Sequence, residues 1–139
     1  MRTSARRTSR VLVLVLGAVT ALAAVSGSAS ADGMDAPYAR AAAKVAQDAT
    51  LLASKNVASV TRGTGTTFAG VYCVKVSDLN VSDDLADAAI VATLSNYRGE
   101  ITAIGAPHAY CGNAADTITI VTSDSGGNPA DRPFTVAVL

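Results

Sequence analysis

The sequence predicts an all-β domain, a small antiparallel β-sandwich or barrel of about 6–8 short strands with one disulfide, behind an N-terminal signal-peptide helix. Three observations carry this. From Asn56 onward the apolar residues are mostly β-branched and alternate with polar ones. Clusters of Gly, Asn, Asp and Pro interrupt that stretch at intervals of about 8–15 residues. The only two cysteines, Cys73 and Cys111, lie within it.

The first segment is residues 1–31. Arg2, Arg6, Arg7 and Arg10 form a positive start without an acid, and Val11 to Val25 is apolar. Ser26-Gly27-Ser28-Ala29-Ser30-Ala31 then supplies small residues. That order is the pattern of a cleavable secretory signal, with Ala29 and Ala31 read by the peptidase and Asp32 as the new first residue. The apolar run is short for a bilayer span, which needs about 20 residues. No cysteine sits just after the cut, so a lipid anchor is not expected. Secretion to the extracellular space, with no membrane association after cleavage, is the expectation.

A chain starting at Asp32 is one domain, expected as a flexible leader over 32–42 and a β domain over 43–139. All 11 acids follow residue 31, but only seven of the 11 basic residues do, which gives a net charge of −4. The bases are scattered singly, so there is no patch to neutralise phosphates and nucleic acid is not an expected partner. Mild negative charge suits a soluble monomer. In an oxidising compartment two cysteines have one possible pairing, Cys73 with Cys111. Closing that loop stabilises by roughly 3–4 kcal/mol on chain entropy.

Along the chain, Tyr38 to Ser54 is ambiguous. Its alanines favour helix, and the competing reading is a strand near Ala43–Ala46, a turn over Gln47–Thr50 and a return strand at Leu51–Ala53. Val57–Arg62, Val71–Val76, Ala88–Leu94, Glu100–Ile104, Thr117–Thr122 and Phe134–Val138 read as strands. The expected core is Val60, Tyr72, Val74, Val76, Ile90, Ala92, Leu94, Ile118, Ile120, Phe134, Val136 and Val138. Lys75, on the Cys73 face, predicts that this face is partly wet. Ser77–Asp87, with four aspartates, reads as a solvated loop.

Few residues suggest chemistry. Ser123-Asp124-Ser125-Gly126-Gly127 is similar to the nucleophile motif of chymotrypsin-like proteases. A serine nucleophile needs an oriented base and oxyanion donors, and the only histidine, His108, is 17 residues away in an unrelated setting. A Gly-rich turn is the stronger reading. Asp78, Asn80, Ser82, Asp83, Asp84 and Asp87 offer calcium-type oxygens, but Asp83 and Ala89 stand where an EF-hand needs Gly and Glu. Asn80-Val81-Ser82 matches a glycosylation acceptor. No phosphate-binding loop, dinucleotide fingerprint or zinc motif is present. Catalytic residues, metal and cofactor are therefore expected to be none.

The landmarks together resemble a group of small secreted proteins of unknown function from high-GC actinobacteria. Leu51 to Arg62, Gly70-Val71-Tyr72-Cys73-Val74, Val91-Ala92-Thr93, Cys111-Gly112, Ile120 to Gly126 and Ala130 to Val136 carry the resemblance. Related modules occur in phage-tail-like and repeat-bearing surface proteins. The resemblance spans about residues 43–139 and implies a single β domain. It also implies a hairpin over Ala42–Ala53, because the group has Asp-Gly where this chain has Asp48-Ala49. Gly63–Ala69 is a longer connection than the group's usual turn.

The expected function is a secreted, non-enzymatic domain with a structural role or an extracellular protein or cell-surface partner. The alternatives are a protease inhibitor presenting Gly63–Ala69, or a small hydrolase using His108 and Ser125.

Overall fold

A computed structural model describes residues 32–64 and 69–139. The expected signal peptide, with Ala29 and Ala31, lies outside the described residues, as do residues 65–68 of the Gly63–Ala69 loop. The strands are β1 (Asp32–Gly33), β2 (Ala41–Val45), β3 (Leu51–Lys55), β4 (Val57–Arg62), β5 (Val71–Val76), β6 (Ile90–Leu94), β7 (Glu100–Ile104), β8 (Thr117–Ser123) and β9 (Phe134–Val138). Among the described residues, a short helix, α1 (Leu79–Ser82), and a 3-10 turn at Ala109–Cys111 are the helical pieces. The strands form two sheets in the orders β1-β3-β2-β9-β6 and β4-β5-β8-β7. Every pairing is antiparallel except that of β1 with β3.

The interior lies between the sheets. Tyr72, Val74 and Val76 of β5 and Ile118 and Ile120 of β8 face Phe134, Val136 and Val138 of β9, all buried as expected. Tyr72 and Phe134 meet edge to face, ring centroids 5.0 Å apart, an arrangement aromatic quadrupoles favour. Val60, Ile90, Ala92 and Leu94, also expected in the core, are only half-buried. They sit on β4 and β6, each paired on one side only, where no further strand covers them.

Of the two readings of Tyr38–Ser54, the helical one falls and the hairpin stands. Ala41–Val45 and Leu51–Lys55 are paired strands, and Ala41, Ala43 and Val45 alternate into the core. Burial of that face outweighs alanine's helix propensity. The turn is closed by Ala46 N–H on Thr50 O (2.9 Å), and Asp48 Oδ1 accepts from Thr50 N–H (2.9 Å). Ala49 occupies φ 73°, the left-handed position that the resemblance fills with glycine.

Three other expectations change. Residues 32–42 are not merely a leader, since β2 begins at Ala41 and Met34 N–H bonds Ser54 O (3.0 Å). Lys55 Nζ also donates to Ala36 O (2.9 Å), and Ala39 is buried. The Ser77–Asp87 loop is not simply solvated: it folds as α1, and Val81 and Leu85 enter the core cluster. The cysteine face is drier than Lys75 implied. Residues 105–116 return over β5 and β8, leaving Cys73 and Cys111 buried, while the Lys75 ammonium reaches outward to Asp116 (2.9 Å).

Candidate functional site

A group of interacting polar side chains joins the end of β4, the start of β5 and the approach to β9 at one end of the sandwich. Arg62, the last residue of β4, lays its guanidinium over the Tyr72 ring, 4.5 Å from the centroid. Its Nη1 donates to Asp131 Oδ1 (2.5 Å) and its Nη2 to Gln47 O (2.6 Å). Asp131 Oδ1 also accepts from Gly70 N–H (2.6 Å), and Tyr72 Oη donates to Gln47 O (2.9 Å). The group therefore joins β4 and β5 of one sheet to the β2–β3 turn and the β9 approach of the other.

Backbone sterics fix the surroundings. Gly70 has φ 81°, and a Cβ there would lie 2.1 Å from Thr122 O, so only glycine fits. Thr122 is fully buried and donates its hydroxyl to Ala130 O (2.6 Å), which holds the approach to Asp131. Burial pushes the Tyr72 phenol up. Burial also opposes the Arg62 charge, but the hydrogen bond to Asp131 and the neighbouring Tyr72 and Asp131 charges outweigh it, so its pKa is raised. Arg62 Nη1 and Nη2, Gly70 N–H and Tyr72 Oη each reach an acceptor within the chain. The arrangement can clamp two sheets together, and it offers no exposed base beside a nucleophile.

The sequence singled out other residues. His108 precedes the 3-10 turn and accepts from Tyr110 N–H at Nδ1 (3.3 Å). Its ring meets Tyr110 edge to face at 4.8 Å. Ser125 is exposed in the turn after β8, and no hydrogen bond joins it to His108. Asp124 closes that turn by accepting from the Gly126 and Asn128 amides (2.8 and 3.0 Å), and those bonds, Asn128's first, hold its carboxyl below the ordinary carboxylate value. The Gly-rich reading of the segment therefore has a physical basis.

The Asp78–Asp87 oxygens do not converge. Asp78 Oδ1 accepts from Asn80 N–H (2.9 Å) at the start of α1, and Asp84 faces Arg40 (3.5 Å). Among the described residues, no group of three or more His, Cys, Asp or Glu side chains could hold a metal ion. Asn80 donates its side-chain amide to Asp78 Oδ1 (3.2 Å), and its backbone carbonyl accepts from Arg40. A depression of about 590 Å³ lies between α1 and the 105–116 segment, among Ser82, Asp83, Ala106, Pro107, Ala114 and Asp116. Small apolar side chains form most of its wall. Asp116, its best-held carboxylate, is kept below the ordinary value by Lys75 and then by the Thr117 hydroxyl.

Cys73 and Cys111 are bonded, with Cα atoms 5.6 Å apart. The bond ties the 105–116 segment to the middle of β5, and Thr64 N–H on Tyr110 O (3.0 Å) fastens it again near the end of β4.

The sequence placed Tyr72 in the expected core and carried Arg62, Gly70 and Asp131 only within the resemblance, with no role. Arg62 and Asp131 are 69 positions apart, so spacing carries no signal of their contact. Comparison of the chain with protein-family models, with curated proteins and with solved structures found no match.

Proposed function

We propose that the chain is a secreted, non-enzymatic β domain with a structural role or an extracellular binding partner. One observation carries the reading: the only histidine is engaged in its own turn, as acceptor for Tyr110 N–H and edge-to-face neighbour of the Tyr110 ring, with no bond to Ser125. A general base must lie within hydrogen-bond reach of the group it activates. The clamp supports the same reading, because its partly exposed charged groups, Arg62 and Asp131, are paired with each other.

Secretion rests on the signal-type leader and on a crosslink that persists in oxidising compartments. N-terminal sequencing of protein recovered from the culture medium should begin at Asp32; recovery only from the cytosol, with Met1 intact, rejects export. The non-enzymatic reading is tested with ester, peptide and glycoside substrates. The expected result is no turnover above that of the His108→Ala protein. Turnover that His108→Ala or Ser125→Ala abolishes would overturn it.

A further inference from the structure

The four lateral edges of the two sheets are protected to different degrees. An unpaired edge strand is a template for another strand, and edges are commonly guarded by a cover, a bulge or a charge. The β3 edge is covered by β1 and the segment that follows it. β4 carries a bulge between Val57 and Ser59 and ends on Arg62. β7 begins with Glu100. β6, Ile90-Val91-Ala92-Thr93-Leu94, has neither charge nor proline, and its register with β9 is unbroken.

The open side of β6 is defined by its ladder. Leu139 N–H bonds Ala89 O (3.0 Å) and Ser95 N–H bonds Pro133 O (2.8 Å). Those two bonds place Ala89, Val91, Thr93 and Ser95 in the hydrogen-bonded positions with β9. In an antiparallel ladder the intervening residues turn their N–H and C=O groups the other way. Ile90, Ala92 and Leu94 therefore present theirs to the free edge, where Leu94 O receives only a 3.5 Å contact from the Thr93 hydroxyl. Their side chains point inward and are half-buried, as are Ile101 and Ala103 on neighbouring β7.

We propose that β6 pairs antiparallel with β6 of a second copy of this chain, joining the two β6-containing sheets across a two-fold axis at Ala92. The strand is self-complementary in the sense that a two-fold interface requires. Ile90 of each copy stands opposite Leu94 of the other, and Ala92 stands opposite itself. Each of these facing pairs exchanges two backbone hydrogen bonds. No like charges meet, because β6 has none. The half-buried Ile90 and Leu94 cover one another, closing the exposed side of both interiors. The β4 edge is interrupted by its bulge between Val57 and Ser59, and β7, unlike β6, carries a charge at Glu100.

The test is the mass in solution of the exported protein, by sedimentation velocity over a concentration series. The expected result is a concentration-dependent dimer whose dissociation constant rises by about tenfold or more in Ala92→Pro. Proline at 92 removes an outward N–H that the β9 ladder does not use, and edge positions tolerate it. A wild-type protein still monomeric at about 100 µM, a weak-affinity concentration, overturns the proposal. So does a dimer that Ala92→Pro leaves intact. If Ala92→Pro fails to fold, Ala92→Cys decides the matter. Residues in such a pair have Cα atoms about 5.5 Å apart, within disulfide reach. Mild oxidation should then give a covalent dimer through residue 92, and its absence contradicts the proposal. A strand from another protein in place of the second copy shows as a monomer that gains mass only with that protein, which also contradicts it.

Discussion

The two flanks of the sandwich are made of similar strands and are held in different ways. On the β3–β4 flank one residue, Asn56, carries the chain from one sheet to the other. It sits at φ 54°, its side-chain amide donates to Arg40 O (2.7 Å), and its carbonyl accepts from Ser77 N–H (3.0 Å). The clamp of Arg62, Asp131, Gln47 and Gly70 then bridges the sheets near the far end of β4. On the β6–β7 flank the connection is the turn over 95–99. Among the described residues, no side-chain hydrogen bond links β6 to β7, and the inward residues stay half-buried. Polar side chains lock one flank. The other relies on partly covered apolar contacts, which is why a second copy fits there and not at the clamp.

Perturbing the clamped flank should cost most. Gly70→Ala forces a Cβ against Thr122 O and strains φ 81°. It should destabilise by about 3 kcal/mol or more, read as a lower urea midpoint. Asp131→Ala leaves Gly70 N–H and Arg62 Nη1 without their acceptor, while Arg62 Nη2 keeps Gln47 O. The pair is more than a third exposed, so the expected loss is only about 1–2 kcal/mol by the same measurement. Neither change should alter the mass of the assembly, because neither residue borders β6.

A smaller effect sharpens the comparison from the hairpin side. Ala49 holds a left-handed conformation that glycine adopts freely. Ala49→Gly should therefore stabilise by about 0.5–1 kcal/mol, read as a higher thermal midpoint. The smallest change comes from acid. Asp116, beside Lys75, and Asp124 and Asp48, bonded to turn amides, all have lowered pKa values. Their stabilisation is present above the ordinary carboxylate value of about 4 and is lost as pH falls through the lower folded values. Urea midpoints should hold steady from neutral pH down to about 5 and decline below about 4. The decline should be shallow, since these groups are exposed or half-exposed.

Much of the fold could be read from residues whose chemistry permits one role. Val71–Val76 and Thr117–Thr122 are rich in β-branched residues with a clear two-residue alternation, and both are strands. Ala41–Val45 could not be read in the same way. Alanine fits a helix and a small-residue sheet face alike, and the deciding burial comes from β9, some 90 residues later. Val81 and Leu85 were hidden by four neighbouring aspartates, which set the local average while two side chains set the packing. The disulfide was legible because two cysteines leave one pairing. The clamp was not, because a contact between Arg62 and Asp131 depends on sheet order and not on local pattern. The free edge of β6 was also invisible, since the same apolar run would suit a central strand.

Residue-resolved hydrogen exchange, in dilute and in concentrated solution, tests the contrast between the flanks most directly. The account predicts slowest exchange in β5 and β8 at every concentration. It also predicts that the Ile90, Ala92 and Leu94 amides exchange fast when dilute and slow markedly when concentrated, while Val91 and Thr93 stay protected throughout. Equal protection of all five β6 amides in dilute solution, or no concentration dependence at Ala92, would contradict it.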